Sequence, residues 1–145
     1  MTIVRTAADV PADPARVWRV LGDPARTAHW QTTHVRYGDR PPGAFATGDS
    51  FVEHVRVLGM PAEVTWTVAD VDPPTRLAMT GRGPMGITLL SDYDVRAVAG
   101  GSRVSLASEF TGAAVATVAG PLEREVKAAQ ERSLARLAEA VRAGS

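Results

Sequence analysis

The chain contains no cysteine. That removes disulfide staples, thiolate catalysis and sulfur-ligated metal sites in one step. Neither sign of charge is in surplus, because 16 Lys and Arg balance 16 Asp and Glu, so no overall field draws the protein to nucleic acid or an anionic membrane. Basic residues are not interleaved with aromatics, which also speaks against nucleic acid as a partner. No apolar run approaches the ~20 residues of a membrane-spanning helix, and Met1-Thr2-Ile3-Val4-Arg5 lacks the apolar stretch of a secretion signal. Together these absences suit a soluble protein of the reducing cytoplasm. A Gly-x-Ser-x-Gly elbow and a Walker motif are missing too. The histidines, His29, His34 and His54, do not fall at metal-ligand spacing, so neither a metal nor a cofactor is expected.

What is present is organised around the last quarter. Pro121 to Ala143 reads as one long amphipathic helix, with Leu122, Val126, Ala129, Leu134, Leu137 and Val141 gathered on one face. Pro121 suits the first turn and Gly144 the stop. Such a stripe has to be covered, and nearly everything before it reads as short strands. A chain of 145 residues fits a single domain over positions 1–145, burying roughly two-thirds of its unfolded surface.

Taken in order, a first strand is expected over about residues 2 to 8. Asp13-Pro14 then makes an N-cap and first turn, with Val17, Trp18 and Leu21 facing inward and Gly22 ending the helix. Asp23-Pro24 restarts a second short helix running to about Trp30. Residues 38 to 48, with Pro41, Pro42 and Gly43, form a long loop. A turn at Gly59-Met60 pairs Val57 with Ala62, Val55 with Val64, Glu53 with Trp66 and Phe51 with Val68, and sets Arg56 across from Glu63. The turn Asp72-Pro73-Pro74-Thr75 sets Met79 opposite Val68 and Leu77 opposite Asp70. Gly100-Gly101 places Val95 against Leu106, Tyr93 against Ser108 and Ser91 against Phe110, at the cost of facing Asp92 with Glu109.

The order is therefore strand, two helices, six strands, long helix. The segment Val10-Pro11-Ala12-Asp13-Pro14-Ala15-Arg16-Val17-Trp18-Arg19-Val20-Leu21-Gly22-Asp23, followed by Trp30, resembles the N-terminal signature of START-like proteins of the SRPBCC group. Val68 to Leu77 resembles their middle hairpin, and Gly100-Gly101-Ser102-Arg103-Val104 the turn before their last strand. The likeness spans the whole chain and is nearest to the polyketide cyclase/dehydratase-like branch. It implies an α+β helix-grip fold: a curved seven-stranded antiparallel sheet wrapped round the C-terminal helix, with two short helices after the first strand. The group includes lipid and hormone binders, cyclases and aromatases, and co-chaperone-like proteins, so the fold alone does not choose among them.

If the sheet curls round the helix without filling the space between, its inner face lines a ligand cavity. Phe51, Trp66, Met79, Leu89, Tyr93 and Phe110 are its expected walls, with Trp30 and Tyr37 near the mouth and Arg82 and Met85 on an edge loop; plain core packing is the competing role. Glu53 falls on the same face as Phe51, Val55 and Trp66. A carboxylate there is either a general base or acceptor for a ligand hydroxyl, or is turned outward by a register slip. Tyr93 with Ser91 and Ser108 either completes a polar cluster as acid or donor, or is a core aromatic bonded locally. The histidines read as surface or satisfied side chains. Three functions remain: binding of a hydrophobic, aromatic or polycyclic small molecule; a cyclase or aromatase reaction using Glu53 and Tyr93; and a co-chaperone-like interaction module. Oligomeric state is not legible.

Overall fold

The computed structural model describes residues 1–143; the expected helix stop at Gly144 lies outside the described residues. Strand β1 (Thr2–Val10) is followed by helix α1 (Pro14–Leu21) and a 3-10 segment, Pro24–His29. Strands β2 (His34–Tyr37), β3 (Ser50–Val57), β4 (Met60–Asp72), β5 (Arg76–Arg82), β6 (Thr88–Val98) and β7 (Gly101–Thr111) come next. The short helix α2 (Ala113–Ala116) leads into the long helix α3 (Ala119–Arg142). The strands form one antiparallel sheet in the order β1-β7-β6-β5-β4-β3-β2. This is the helix-grip arrangement expected from the element order.

Local chemistry explains the pieces. Asp13 caps α1 by accepting from the Arg16 N–H at 2.9 Å, and Pro14 supplies the preset φ of the first turn. Asp23 repeats the device on the 3-10 segment, accepting from Ala25 N at 3.0 Å. The buried stripe of α1 is Val17, Val20 and Leu21. Trp18, expected inward, is only half-buried because its ring folds back over Gly22, where a Cβ would come within 2.3 Å of the indole nitrogen.

Two hairpins differ from expectation in the same way. The β3–β4 turn is Leu58-Gly59, with φ of 54° and 70°, so Val57 faces Met60, Val55 faces Ala62, Glu53 faces Val64 and Phe51 faces Trp66. A two-residue turn with both residues at positive φ matches the twist of the strands, and that places the glycine second rather than first. The β6–β7 turn is Ala99-Gly100, giving Val95–Val104, Tyr93–Leu106 and Ser91–Ser108 pairs. Each pairing slips by two residues, which leaves every side chain on its expected face. The slip also dissolves the acid–acid contact: Asp92 faces Ala107 and Glu109 faces Leu90. His54, not Arg56, lies across from Glu63. Val68 faces Met79 as expected, but a bulge between Val68 and Asp70 moves Leu77 opposite Val71.

Helix α3 packs on the concave face through two separate apolar contacts. Toward its C-terminus, Leu134, Leu137 and Val141 join the main core with Val20, Val68, Leu77, Val95 and Val104. Toward its N-terminus, Leu122 and Val126 pack with Val4, Phe110 and Val115. Between these anchors the helix presents Ala129, Gln130 and Ser133, which are buried but small or polar. Large apolar side chains pack the ends of the helix on the sheet, while its middle reaches the sheet only through small or polar side chains.

Candidate functional site

Beneath that middle stretch lies a partly open cavity of about 100 Å³. Its roof is Val126, Ala129, Gln130 and Ser133 of α3. Its floor is the inward row of the sheet, including Glu53 and Val55 of β3, Val64 and Trp66 of β4, Ser91 and Tyr93 of β6 and Ser108 and Phe110 of β7. Trp30 and Gln31, carried in by the end of the 3-10 segment, close one side.

The polar groups are ordered around Glu53, whose side chain is 9% exposed. Its Oε1 accepts from the Trp66 indole N–H at 2.9 Å, and its Oε2 lies 2.5 Å from Nδ1 of His34. Both carboxylate oxygens are thus committed, which is how an acidic group is kept in an apolar wall. Tyr93 accepts from Gln31 Nε2 at 2.6 Å and meets Trp30 edge to face, with ring centroids 5.8 Å apart. Burial, and then the nearby Glu53 charge, push the Tyr93 phenol up to about 12, so at neutral pH it is a protonated donor. Gln130 accepts from Thr6 at 2.8 Å and donates to Ser108 at 3.0 Å, tying the roof to β1 and β7. The indole N–H of Trp30 is buried without a partner among the described residues.

Of the residues expected in the site, the structure brings Trp30, Glu53, Trp66, Leu89, Ser91, Tyr93, Ser108 and Phe110 to the cavity wall. Five others lie elsewhere. Phe51 is buried one register position beyond Glu53 on the same face, against Tyr37 and Phe45. Tyr37 is half-buried and bonded to Thr27 at 2.6 Å; burial raises its phenol strongly. Met79 is packed into the main core. Arg82 is exposed because strand alternation turns Gly81, not Arg82, inward. Met85 stands 73% exposed in a loop where its φ is 58°, away from the cavity.

Sequence reasoning passed over Gln31, Gln130 and Ser133, and it read His34 as a surface or satisfied side chain without naming Glu53 as its partner. For Gln130 and Ser133 a signal exists: two polar residues interrupt the apolar face of α3 between Val126 and Leu134. For His34 the deciding feature is a register irregularity between His34 and Arg36, which no periodicity displays.

Among the described residues, no group of three or more His, Asp or Glu side chains is placed to hold a metal ion. Nor is any helix long and apolar enough to cross a membrane. What the arrangement offers is an apolar chamber with one fixed carboxylate, one neutral phenol and several hydroxyl and amide groups.

Residues 1–142 match the sequence pattern of the family described as polyketide cyclase / dehydrase and lipid transport. The Mycobacterium tuberculosis protein Rv1546 is 34% identical over 143 residues, covering 96% of this chain and 98% of that one. Toxin Rv0910 of the same organism is 30% identical over 121 residues, 83% of this chain and 82% of its own. Among solved structures, protein CV1439 of Chromobacterium violaceum superposes with a TM-score of 0.73 at 17% identity, covering 97% of this chain and 98% of that one. DynU16, a protein of the dynemicin biosynthetic locus, has a TM-score of 0.74 at 23% identity, and all of this chain matches 49% of it. At those identities the structural likeness speaks for the fold.

Proposed function

The chain belongs to the polyketide cyclase / dehydrase and lipid transport family, a ligand-binding fold, and we propose that it binds a small hydrophobic molecule, preferentially aromatic, between the sheet and α3. The observation that carries this reading is the interrupted grip of α3. The helix is anchored at both ends by large apolar residues, while Ala129, Gln130 and Ser133 leave space over Trp66, Tyr93 and Phe110. A chain selected only for stability would fill such a gap, because voids in a core cost stability. Tyr93 and the serines then orient the guest by hydrogen bonds, as a few placed polar groups do in apolar sites.

The cavity volume of about 100 Å³ limits the guest. It is below the ~150 Å³ of a cavity that admits benzene, so even a single ring requires the wall to give, and a polycyclic molecule requires it to open further. The test is thermal stabilisation by toluene and by naphthalene, together with native mass spectrometry of gently purified protein. Stabilisation that survives Glu53→Gln supports binding. No stabilisation by either compound, and no co-purified molecule, rejects it.

A second reading, a cyclase or aromatase-type enzyme, is favoured by the pairing of an ionisable dyad with a neutral phenol. Glu53, backed by His34, would take an acidic α-proton from a poly-β-keto chain. The resulting enolate carbon would attack a second carbonyl of the same chain, and Tyr93 would protonate the oxygen formed there. Under this reading Glu53→Gln lowers turnover of a polyketide mimic far more than its affinity. The two filled acceptor positions of Glu53 favour binding over this chemistry, since a base must free an oxygen to work.

A further inference from the structure

Beside the cavity lies a surface cleft of about 200 Å³, between Thr32-Thr33, the tip of the β3–β4 hairpin and the outer edge of α3. Thr33, Val57, Val126 and Ala129 line both the cleft and the inner cavity. The partition between them therefore consists of short, branched or small side chains. Its frame is fixed from both sides. The Thr32 hydroxyl donates to the Ala129 carbonyl at 3.2 Å and the Thr32 N–H donates to Ser133 Oγ at 3.1 Å, while the Leu58 N–H donates to the Glu125 carboxylate.

The ionisable side chains lining this cleft are Arg56, Arg132 and Glu125. Glu125 is committed to the hairpin backbone. Arg56 donates one N–H to the Gly59 carbonyl at 3.0 Å; among the described residues neither arginine forms an ion pair, and the Arg132 side chain has no hydrogen bond. Two guanidinium groups without carboxylate partners thus flank a cleft that leads to an apolar chamber. Each has open donors in the fork geometry that matches a carboxylate.

We propose that this cleft is the mouth of the site and selects an amphiphilic acid: the carboxylate rests between Arg56 and Arg132, and the apolar body passes Val57 and Val126 into the cavity. The proposal rests on the ligand-binding reading above and narrows it to a class. It also resolves the size problem, since cleft and cavity together reach the lower end of the ~300–1,000 Å³ range of small-molecule sites. Glu125 then has a second consequence: by holding the hairpin tip, it sets the width of the opening.

The experiment compares 4-phenylbutanoate with its neutral amide, by calorimetry on the wild-type protein and on the Arg56→Gln/Arg132→Gln variant. Both substitutions are at exposed positions, so folding is not at stake. Expected is a carboxylate preference of about five- to tenfold in the wild type, as for an accessible charge-assisted pair. That preference should vanish in the double variant and shrink in high salt, with amide affinity unchanged. Equal affinity for acid and amide, or a preference surviving in the double variant, overturns the proposal and leaves the cavity reading standing. Failure of both compounds to bind the wild-type protein sinks the cavity reading itself.

Discussion

His34 and Glu53 meet at 2.5 Å although they are not cross-strand partners: His34 stands opposite Val55, and Glu53 opposite Tyr37. The irregularity between His34 and Arg36 reverses the alternation of β2, so that both His34 and Tyr37 face the concave side, their rings tilted by 57° with centroids 4.7 Å apart. Val35, the residue passed over, is 54% exposed. Removing the imidazole leaves a carboxylate oxygen buried with no donor. His34→Ala should therefore destabilise the protein by about 1–3 kcal/mol, and His34→Asn, which can still donate, by less. Urea denaturation at neutral pH measures both. An unchanged midpoint for His34→Ala would mean that water replaces the ring and the dyad is incidental.

Trp66 is fixed from two directions, by Glu53 at its nitrogen and by Gly81 at its ring. A Cβ on Gly81 would approach the Trp66 ring to 2.7 Å and the Val64 side chain to 2.9 Å. Gly81→Ala should push the indole off its acceptor and toward the cavity, costing about 1–3 kcal/mol as an overpacked core does. The same change should weaken binding of any apolar probe. A chemical-shift change at the Trp66 indole N–H, read by NMR, reports the displacement directly. Wild-type stability with an unshifted indole would show that neighbouring strands absorb the methyl group.

The protein contains two tyrosines, and burial raises both phenols above the ordinary value of 10. The folded protein therefore binds these protons more tightly than the unfolded chain. The sign follows: this contribution is intact below pH ~10 and is lost as pH climbs toward the folded value. For Tyr93, pushed up to about 12, the loss amounts to roughly 2–3 kcal/mol. Absorbance at the tyrosinate band should stay low near pH 10 in the native protein and rise only as it unfolds. Tyr93→Phe should flatten the fall of stability between pH 10 and 12. A phenol that titrates near 10 in the folded state would place Tyr93 in contact with solvent.

The architecture was legible because its determinants are local and repeated. Alternation named the inward rows of β3, β4, β6 and β7, Asp13 and Asp23 announced their helices, and the stripe of α3 declared its buried face. Register was less accessible, since a turn glycine can stand first or second and only the twist of the paired strands decides. The candidate site divided along the same line. Glu53 and Tyr93 lie on regular strands, and parity alone put them inward. His34 was read only as a surface or satisfied side chain because a bulge suspends parity, and Arg82 was assigned to an edge loop because its glycine-rich surroundings hid the end of a strand that turns Gly81 inward. Gln130 and Ser133 were visible as polar breaks in an apolar stripe, but a stripe read only for its hydrophobes passes over them.

If the gap beneath α3 is kept for a guest, filling it should separate stability from binding. Ala129 is 4% exposed and lines the cavity. Leucine there suits the helix and adds three carbons to a void of about 100 Å³. Burying them should raise stability by about 0.5–2 kcal/mol, the usual gain from cavity filling, and lift the melting temperature by a few degrees. The same substitution should abolish stabilisation by toluene, because the volume is spent. Differential scanning fluorimetry with and without probe reads both effects in one experiment. Lower stability with probe binding intact would mean that the space is not where the helix and sheet leave it, and that the guest, if there is one, lodges elsewhere.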